Sequence, residues 1–153
     1  MSKLKPLAVS FEGREVNAGD LFSRTKAAHR FLHDEPVVSF DSSDPHTILM
    51  FDVDAPERDA ESDGALPGKR GPWLHHMVTD IVSSSASSGK CVTDWLAPSP
   101  ALGTHRFIWV AFKGAMADAK KSDDRICYNL SHFMEKNANL QPVAFNFVYV
   151  TSF

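Results

Sequence analysis

The sequence has few cysteines, no long apolar run and no block of positive charge, and each shortage narrows what the protein can be. Its two cysteines, Cys91 and Cys127, lie far apart and outside any CxxC pattern. Disulfide frameworks, zinc sites and dithiol redox centres need more cysteines or closer pairs. We therefore expect two free thiols and a reducing compartment.

The lack of long apolar segments argues against membrane insertion. No stretch approaches the roughly 18 residues that a membrane-spanning helix requires. The N-terminal segment has no apolar core of a signal peptide, and Glu12 and Glu15 argue against a transit peptide. We expect a cytoplasmic protein that does not span a membrane. Since net charge is only −3 and no Lys/Arg cluster is present, nucleic acid is not an expected partner.

What the sequence does have is phenylalanine: 11 residues, against 2 tyrosines, in a chain of 153. Aromatic residues favour strands and large apolar cores. The length suits one domain over residues 1–153 and is enough to bury a core without crosslinks. These features together predict a sheet-rich protein.

Hydrophobic patterns predict several strands. The strong candidates are residues 47–53, 77–82, 105–112 and 144–150, and the weaker ones are residues 7–11 and 37–40. One helix is predicted from a cap at residues 122–124, an apolar stripe of Ile126, Leu130 and Phe133, and a stop at Pro142. A weaker helix is predicted at residues 20–31. Many strands with long polar connections favour a β-sandwich.

Unusual polar residues cluster at the ends of the predicted strands. Asp52 and Asp54 close one strand, His75 opens the next, and His105 and Arg106 open a third. Each group adjoins a loop that contains proline or glycine, and such loops carry function more often than strand interiors do. These side chains can therefore meet at one rim of a sheet.

Two imidazoles beside a carboxylate allow several kinds of chemistry. The carboxylate favours imidazolium, which can hold an anion such as phosphate. Two histidines and one carboxylate also form the facial triad of non-haem iron sites, and they can act as acid and base. The same residues can simply satisfy buried backbone groups. Spacing alone does not decide among these four.

Four ordered blocks then resemble one family. Residues 51–59 resemble the signature D-P-D-A-P-S-R, and residues 73–81 resemble the W/Y-L-H-W-L-V-T-D-I form of plant flowering regulators. Residues 98–107 resemble the G-x-H-R-Y block, and residues 128–144 resemble F-N-x-x-x-F…L-x-x-P-V-A. By these motifs the chain resembles the phosphatidylethanolamine-binding (Raf kinase inhibitor protein-like) family.

The resemblance implies a mostly β fold, an antiparallel sandwich of a large sheet on a smaller one with a few peripheral helices. It implies a non-enzymatic binding or regulatory protein, without cofactor, whose pocket takes a phosphate-bearing small molecule or phospholipid headgroup. A kinase or another protein is a further candidate partner. The alternatives are a metal-dependent or acid–base enzyme that uses the Asp/His/His cluster, and a protease inhibitor or kinase scaffold.

The resemblance also implies roles for individual residues. The expected ligand-binding residues are Asp52, Pro56, His75, Pro98, Pro100, His105 and Phe107. The expected supporting residues are Asp54, Arg58, Trp73, Gly103 and Arg106. No metal ligand or catalytic residue is assigned.

Some features depart from the family pattern. Phe107 stands where animal members carry a pocket tyrosine, so one hydroxyl is missing. The loop of residues 57–72 is longer than in animal relatives, and no C-terminal helix follows the last predicted strand. We expect a more open pocket as a result. Cis peptides are expected before Pro56 and Pro72.

Overall fold

A large sheet of seven strands organises the fold. The computed structural model describes residues 3–23, 31–55, 72–82 and 85–152. Within these ranges the strands are β1 (Lys5–Pro6), β2 (Ala8–Phe11), β3 (Arg14–Glu15), β4 (Asp20–Ser23), β5 (Val37–Ser39), β6 (His46–Asp52), β7 (Trp73–Ile81), β8 (Lys90–Thr93), β9 (Thr104–Lys113) and β10 (Gln141–Thr151). One α-helix, α1 (Leu130–Lys136), and one 3₁₀ turn, Ala86–Ser88, lie wholly within the described ranges.

The order of strands in the large sheet is β1-β10-β9-β6-β7-β8, and β4 also pairs with β10. Neighbours from β10 to β8 run antiparallel, whereas β1 and β4 pair with β10 in parallel. The small sheet has the order β3-β2-β5 and is antiparallel. The expected mostly β sandwich of a large and a small sheet is therefore confirmed, with two short parallel pairings added at one edge.

Alternation along the central strands gives the large sheet two apolar faces. Phe107, Trp109 and Ala111 of β9 belong to a core shared with residues of the small sheet, such as Val9 and Val38. The intervening positions of β9 contribute to a second core, which includes Leu74, Phe112 and Phe133 from α1. Since both faces are covered, β6 is buried along its whole length.

The predicted helix is present but begins later than its apolar stripe indicated. The helix starts after Asn129, whose side chain accepts from the backbone N–H of His132 at 3.0 Å. Ile126, assigned to the buried stripe, is exposed. The reason is that the preceding segment bonds to β7 instead: the Leu74 N–H donates to the Arg125 carbonyl. The predicted cap at residues 122–124 was therefore wrong.

The predicted end of this helix was wrong as well. The helix ends at Lys136, and the C-cap Asn137 donates its backbone N–H to Phe133. Pro142 lies in β10, at an irregularity in the pairing with β9, where the lost N–H is tolerated. The weaker helix at residues 20–31 is wrong at its start, since residues 20–23 form β4; residues 24–30 lie outside the described ranges.

Candidate functional site

The ends of three adjacent strands form a cavity of about 260 Å³. Asp52 is the last residue of β6, His75 lies near the start of β7, and His105 and Phe107 lie near the start of β9. Other residues of the lining are Ala55, Trp73, Leu96, Ser99, Pro100 and Ala101. The three polar residues that the sequence placed at one sheet rim therefore do meet there.

A β-bulge directs His75 into this cavity. Phe51 pairs with Leu74, but the preceding residue of β6, Met50, pairs with His76, so His75 is the extra residue. Bulges often re-aim a side chain beside a functional site. The His75 carbonyl, freed from the β6 ladder, accepts from the Leu96 N–H at 3.0 Å and from Arg125 Nη1 at 3.0 Å. These bonds hold the bulge in place.

His105 and Asp52 form a buried pair. His105 Nδ1 lies 2.6 Å from Asp52 Oδ2, and His105 Nε2 lies 3.0 Å from the Leu102 carbonyl oxygen. Both partners accept hydrogen bonds, so both ring nitrogens donate, which requires an imidazolium. Burial lowers the pKa of His105, but the hydrogen bond and charge of Asp52, with the Leu102 carbonyl, outweigh it and raise the pKa overall. The pair is an internal salt bridge.

His75 has the opposite character. Its Nδ1 donates to the Leu96 carbonyl at 2.7 Å, so the neutral ring carries its lone pair on Nε2. Burial is the main cause of a lowered pKa of His75; the Leu96 carbonyl and Asp52 oppose it, and Arg125 and His105 add to it. The ring meets Phe107 edge-on, at 5.1 Å between centroids. His75 is therefore neutral at pH 7 in the empty pocket.

The charges of the site nearly cancel before a ligand arrives. Asp52 and His105 neutralise each other, and His75 is uncharged. Two groups can still serve an anion: Nε2 of His75 after protonation, and the indole N–H of Trp73. That N–H is buried and has no hydrogen-bond partner among the described residues. The exposed hydroxyl of Ser99, which also belongs to the lining, is a third donor.

Asp54 supports the rim through Arg106. The guanidinium donates from Nε to Oδ2 and from Nη2 to Oδ1, both at 2.9 Å, and the Arg106 backbone N–H donates to Oδ2 at 2.8 Å. The Asp54 N–H in turn donates to Asp52 Oδ1 at 2.9 Å. Arg106 thus stabilises the turn that follows Asp52 and is not one of the residues that line the cavity.

Replacing Arg106 by lysine should lower the free energy of unfolding by about 1 kcal/mol, because lysine keeps the charge but loses the two-pronged bond to Asp54. Urea denaturation measures this change. Lys113→Arg is a matched control at the exposed Lys113–Asp44 pair, where the nitrogen–oxygen distance is 3.5 Å. An equal effect of both substitutions would contradict the role assigned to Arg106.

The remaining predicted residues divide into three groups. Pro100 lines the cavity, whereas Pro98 is buried but is not part of the lining. Gly103 has a φ of +77°, which favours glycine, and its carbonyl accepts from Ser152. Pro56 and Arg58 lie outside the described residues, as do the loop of residues 57–71 and both expected cis peptide bonds.

Sequence reasoning missed Arg125, which ties the pocket wall together. Its Nη1 donates to the carbonyls of Leu74 and His75, each at 3.0 Å, and Nη2 donates to the Asp94 carbonyl at 2.8 Å. Arg125 therefore joins the start of β7 to the loop that carries Leu96. An arginine whose described partners are backbone carbonyls leaves no recognisable motif, so no sequence pattern could have found it.

The geometry weighs against a metal centre. Both ring nitrogens of His105 donate hydrogen bonds, which leaves it no lone pair for a metal. In the described part of the chain, no group of three His, Cys, Asp or Glu side chains is arranged to hold a metal ion. Among the described residues, neither Cys91, which is half-buried, nor Cys127, which is exposed, is part of a disulfide. No described helix is long and apolar enough to cross a membrane.

Two curated plant proteins are similar to this chain in sequence. Protein BROTHER of FT and TFL 1 from Arabidopsis thaliana is 35% identical over 101 residues, which cover 64% of this chain and 53% of that protein. CEN-like protein 4 from Nicotiana tabacum is 32% identical over 107 residues, which cover 64% of this chain and 54% of that protein. The chain thus spans about half the length of these relatives.

Solved structures share the fold. A phosphatidylethanolamine-binding protein from Plasmodium vivax matches with a TM-score of 0.67 and 18% identity, over 97% of this chain and 87% of that one. A phosphatidylethanolamine-binding protein from Plasmodium falciparum gives a TM-score of 0.65 and 18% identity, over 98% and 88%. The sequence profile described as phosphatidylethanolamine-binding protein matches residues 32–148, most of the chain and all of the site. The chain belongs to the phosphatidylethanolamine-binding protein family.

Proposed function

We propose that this chain is a non-enzymatic binding protein whose pocket takes a phosphate-type anion. A phosphoethanolamine headgroup and a phosphorylated protein would both present that group. The observation that supports this most is the placement of His75. A bulge directs the ring into the cavity, and because Nδ1 bonds to the Leu96 carbonyl, Nε2 is the nitrogen that can contact a ligand. Trp73 also lines the cavity, and its buried indole N–H, which has no partner among the described residues, is a second donor.

Binding of an anion should be coupled to protonation of His75. In the empty pocket the pKa of His75 is lowered, chiefly by burial, so Nε2 lacks the proton that an anion needs. A bound anion favours imidazolium and raises that pKa. At any pH above the pKa of His75 in the empty pocket, binding of the anion is therefore accompanied by uptake of one proton. By linkage, the affinity for the anion rises as the pH falls.

A titration with sulfate tests this coupling, since sulfate resembles the phosphate dianion but keeps its charge between pH 6 and pH 8. We expect calorimetric affinity to rise about tenfold for each unit of pH lost. His75→Gln should bind sulfate with little dependence on pH, because an amide donates without titrating. His33→Gln, at an exposed histidine, is the matched control. The same pH slope in His75→Gln would contradict the proposal.

Binding is favoured over catalysis by the closed Asp52–His105 pair. In a catalytic relay the far nitrogen of the histidine faces a nucleophile or substrate. Here His105 Nε2 donates to the Leu102 carbonyl instead, at 3.0 Å. We therefore assign the Asp52–His105 pair a structural role. We also propose that the protein acts in the cytoplasm, as a binding or regulatory protein.

The source of the phosphate group can be separated by competition. O-phosphoethanolamine and a short phosphoserine peptide carry the same monoester, so both should displace sulfate if the pocket recognises that group alone. Tighter binding of phosphoethanolamine would favour a lipid headgroup, and tighter binding of the peptide would favour a phosphorylated partner, a kinase included. Displacement by neither would contradict the proposal.

A further inference from the structure

A second cavity, of about 420 Å³, lies on the opposite face of the large sheet. Its floor is apolar and consists of Leu74, Met77, Val92, Met116 and Phe133. It shares no residue with the first cavity: Trp73 and His75 line that one, whereas Leu74 and Met77 line this one. Its volume falls in the range of about 300–1,000 Å³ that is common for small-molecule sites.

One lining residue carries a buried hydroxyl that has no hydrogen-bond partner among the described residues. Thr93 is 1% exposed, and its Oγ1 makes no hydrogen bond to any described residue. Thr93 pairs directly with Met77, but Val78 pairs with Cys91, so Val92 is the extra residue of a bulge. Directly paired residues project from the same face of a sheet, which places Thr93 beside Met77. An unsatisfied buried hydroxyl is costly, so one in a cavity points to a ligand acceptor.

The rim of the cavity is positively charged. Lys120 and Lys136 line it, against one carboxylate, Asp124. Neither lysine forms an ion pair within the described ranges. The cavity thus combines an apolar floor, a buried hydroxyl without a partner among the described residues, and more lysines than carboxylates.

We propose that this cavity binds an apolar carboxylic acid, with the aliphatic or aromatic body on the floor and the carboxylate held by Thr93 and the rim lysines. A carboxylate has about four acceptor positions, enough for the hydroxyl and a lysine together. A neutral amphiphile would leave the lysines unused, and an inorganic anion would leave the apolar floor exposed. The site is independent of the phosphate pocket.

Octanoate is the probe, and octan-1-ol is its neutral counterpart. We expect octanoate to bind the whole chain in a calorimetric titration, about tenfold more tightly than octan-1-ol. Lys120→Met with Lys136→Met should weaken octanoate by about 3- to 10-fold and leave octan-1-ol unchanged. His75→Gln should change neither ligand. Failure of octanoate to bind at millimolar concentration, or its loss in His75→Gln, would overturn the proposal.

Thr93→Val separates a ligand-binding role from a structural one. The substitution removes an unsatisfied hydroxyl at nearly constant volume, so the ligand-free protein should melt at the same or a higher temperature. Octanoate affinity should nevertheless fall about tenfold, because the carboxylate loses a donor. Unchanged octanoate affinity in this variant would overturn the role of Thr93, and with it the proposed site.

Discussion

Replacing Asp52 by alanine should lower the free energy of unfolding by about 3–5 kcal/mol, the usual loss when one partner of a buried ion pair is removed. The side chains of His105 and Asp52 are only 2% and 6% exposed, so the imidazolium would lose its counterion in a largely desolvated position. The Asp54 N–H would also lose its acceptor. Urea denaturation measures the change, and the pKa of His105 should fall in the same variant.

Asp44→Ala is the matched control for this prediction. Asp44 also pairs with a cation, Lys113, but both side chains are 57% exposed and the distance is 3.5 Å. Exposed pairs contribute about 0–1 kcal/mol. If Asp52→Ala were no more destabilising than Asp44→Ala, the Asp52–His105 pair would not be the internal support of the site.

Acid should destabilise the protein through His76, well before most carboxylates titrate. Burial is the main cause that lowers the pKa of His76 to about 4, with Arg125 lowering it further and Asp94 opposing. Nε2 lies 3.3 Å from Glu35, and Nδ1 is buried without a partner among the described residues. Folded His76 therefore stays neutral in mild acid.

The sign of this effect follows from linkage. The unfolded chain protonates His76 near pH 6.5, while the folded chain does so only near pH 4, so stability falls as the pH drops through that window. The contribution is complete above pH 6.5 and its total loss is about 3 kcal/mol, roughly 2 kcal/mol of it by pH 5.

His76→Phe isolates this contribution. Phenylalanine keeps the ring that meets Trp95 edge-on, at 5.6 Å between centroids, but it cannot take up a proton. The free energy of unfolding of the wild type, minus that of the variant, should fall by about 2 kcal/mol from pH 7 to pH 5. His105 has the opposite effect, because its raised pKa contributes stability that is lost as the pH rises above 6.5. Since His105 is present in both proteins, this effect cancels in the difference. A constant difference would contradict the buried neutral state of His76.

The sequence predicted the long strands well, because their apolar runs are continuous and end at turns. The run in residues 47–53 became β6, and the aromatic and β-branched run in residues 105–112 became β9. It did not predict β3, β4 or β8, which are short and partly polar. Such strands are stabilised by their partners in the sheet: β4, for instance, depends on β10.

The helix shows the same limit. The spacing of Ile126, Leu130 and Phe133 suits a helix, yet Cys127 has a φ of +52° and the Tyr128 N–H donates to the Pro72 carbonyl. Tertiary hydrogen bonds to Pro72 and to Leu74 of β7 therefore override local periodicity until Asn129 provides a cap. No pattern within the segment itself could reveal those distant carbonyls.

The convergence of three polar side chains was predictable, but their arrangement was not. The positions of Asp52, His75 and His105 at strand ends predicted that these side chains would lie close together, and they do. They could not show that His105 is bonded at both nitrogens, or that a bulge turns His75 into the cavity. Those two facts separate the imidazoles into one with a structural role and one free to meet a ligand.

The most direct test of the proposed anion pocket is nitrogen NMR of the histidine rings, recorded at pH 7 with and without phosphate. We expect His105 to show an imidazolium in both samples. His75 should change from a neutral ring with a free Nε2 to an imidazolium when phosphate is added. A His75 ring that remains neutral at saturating phosphate, or a His105 ring that is neutral without it, would contradict this account.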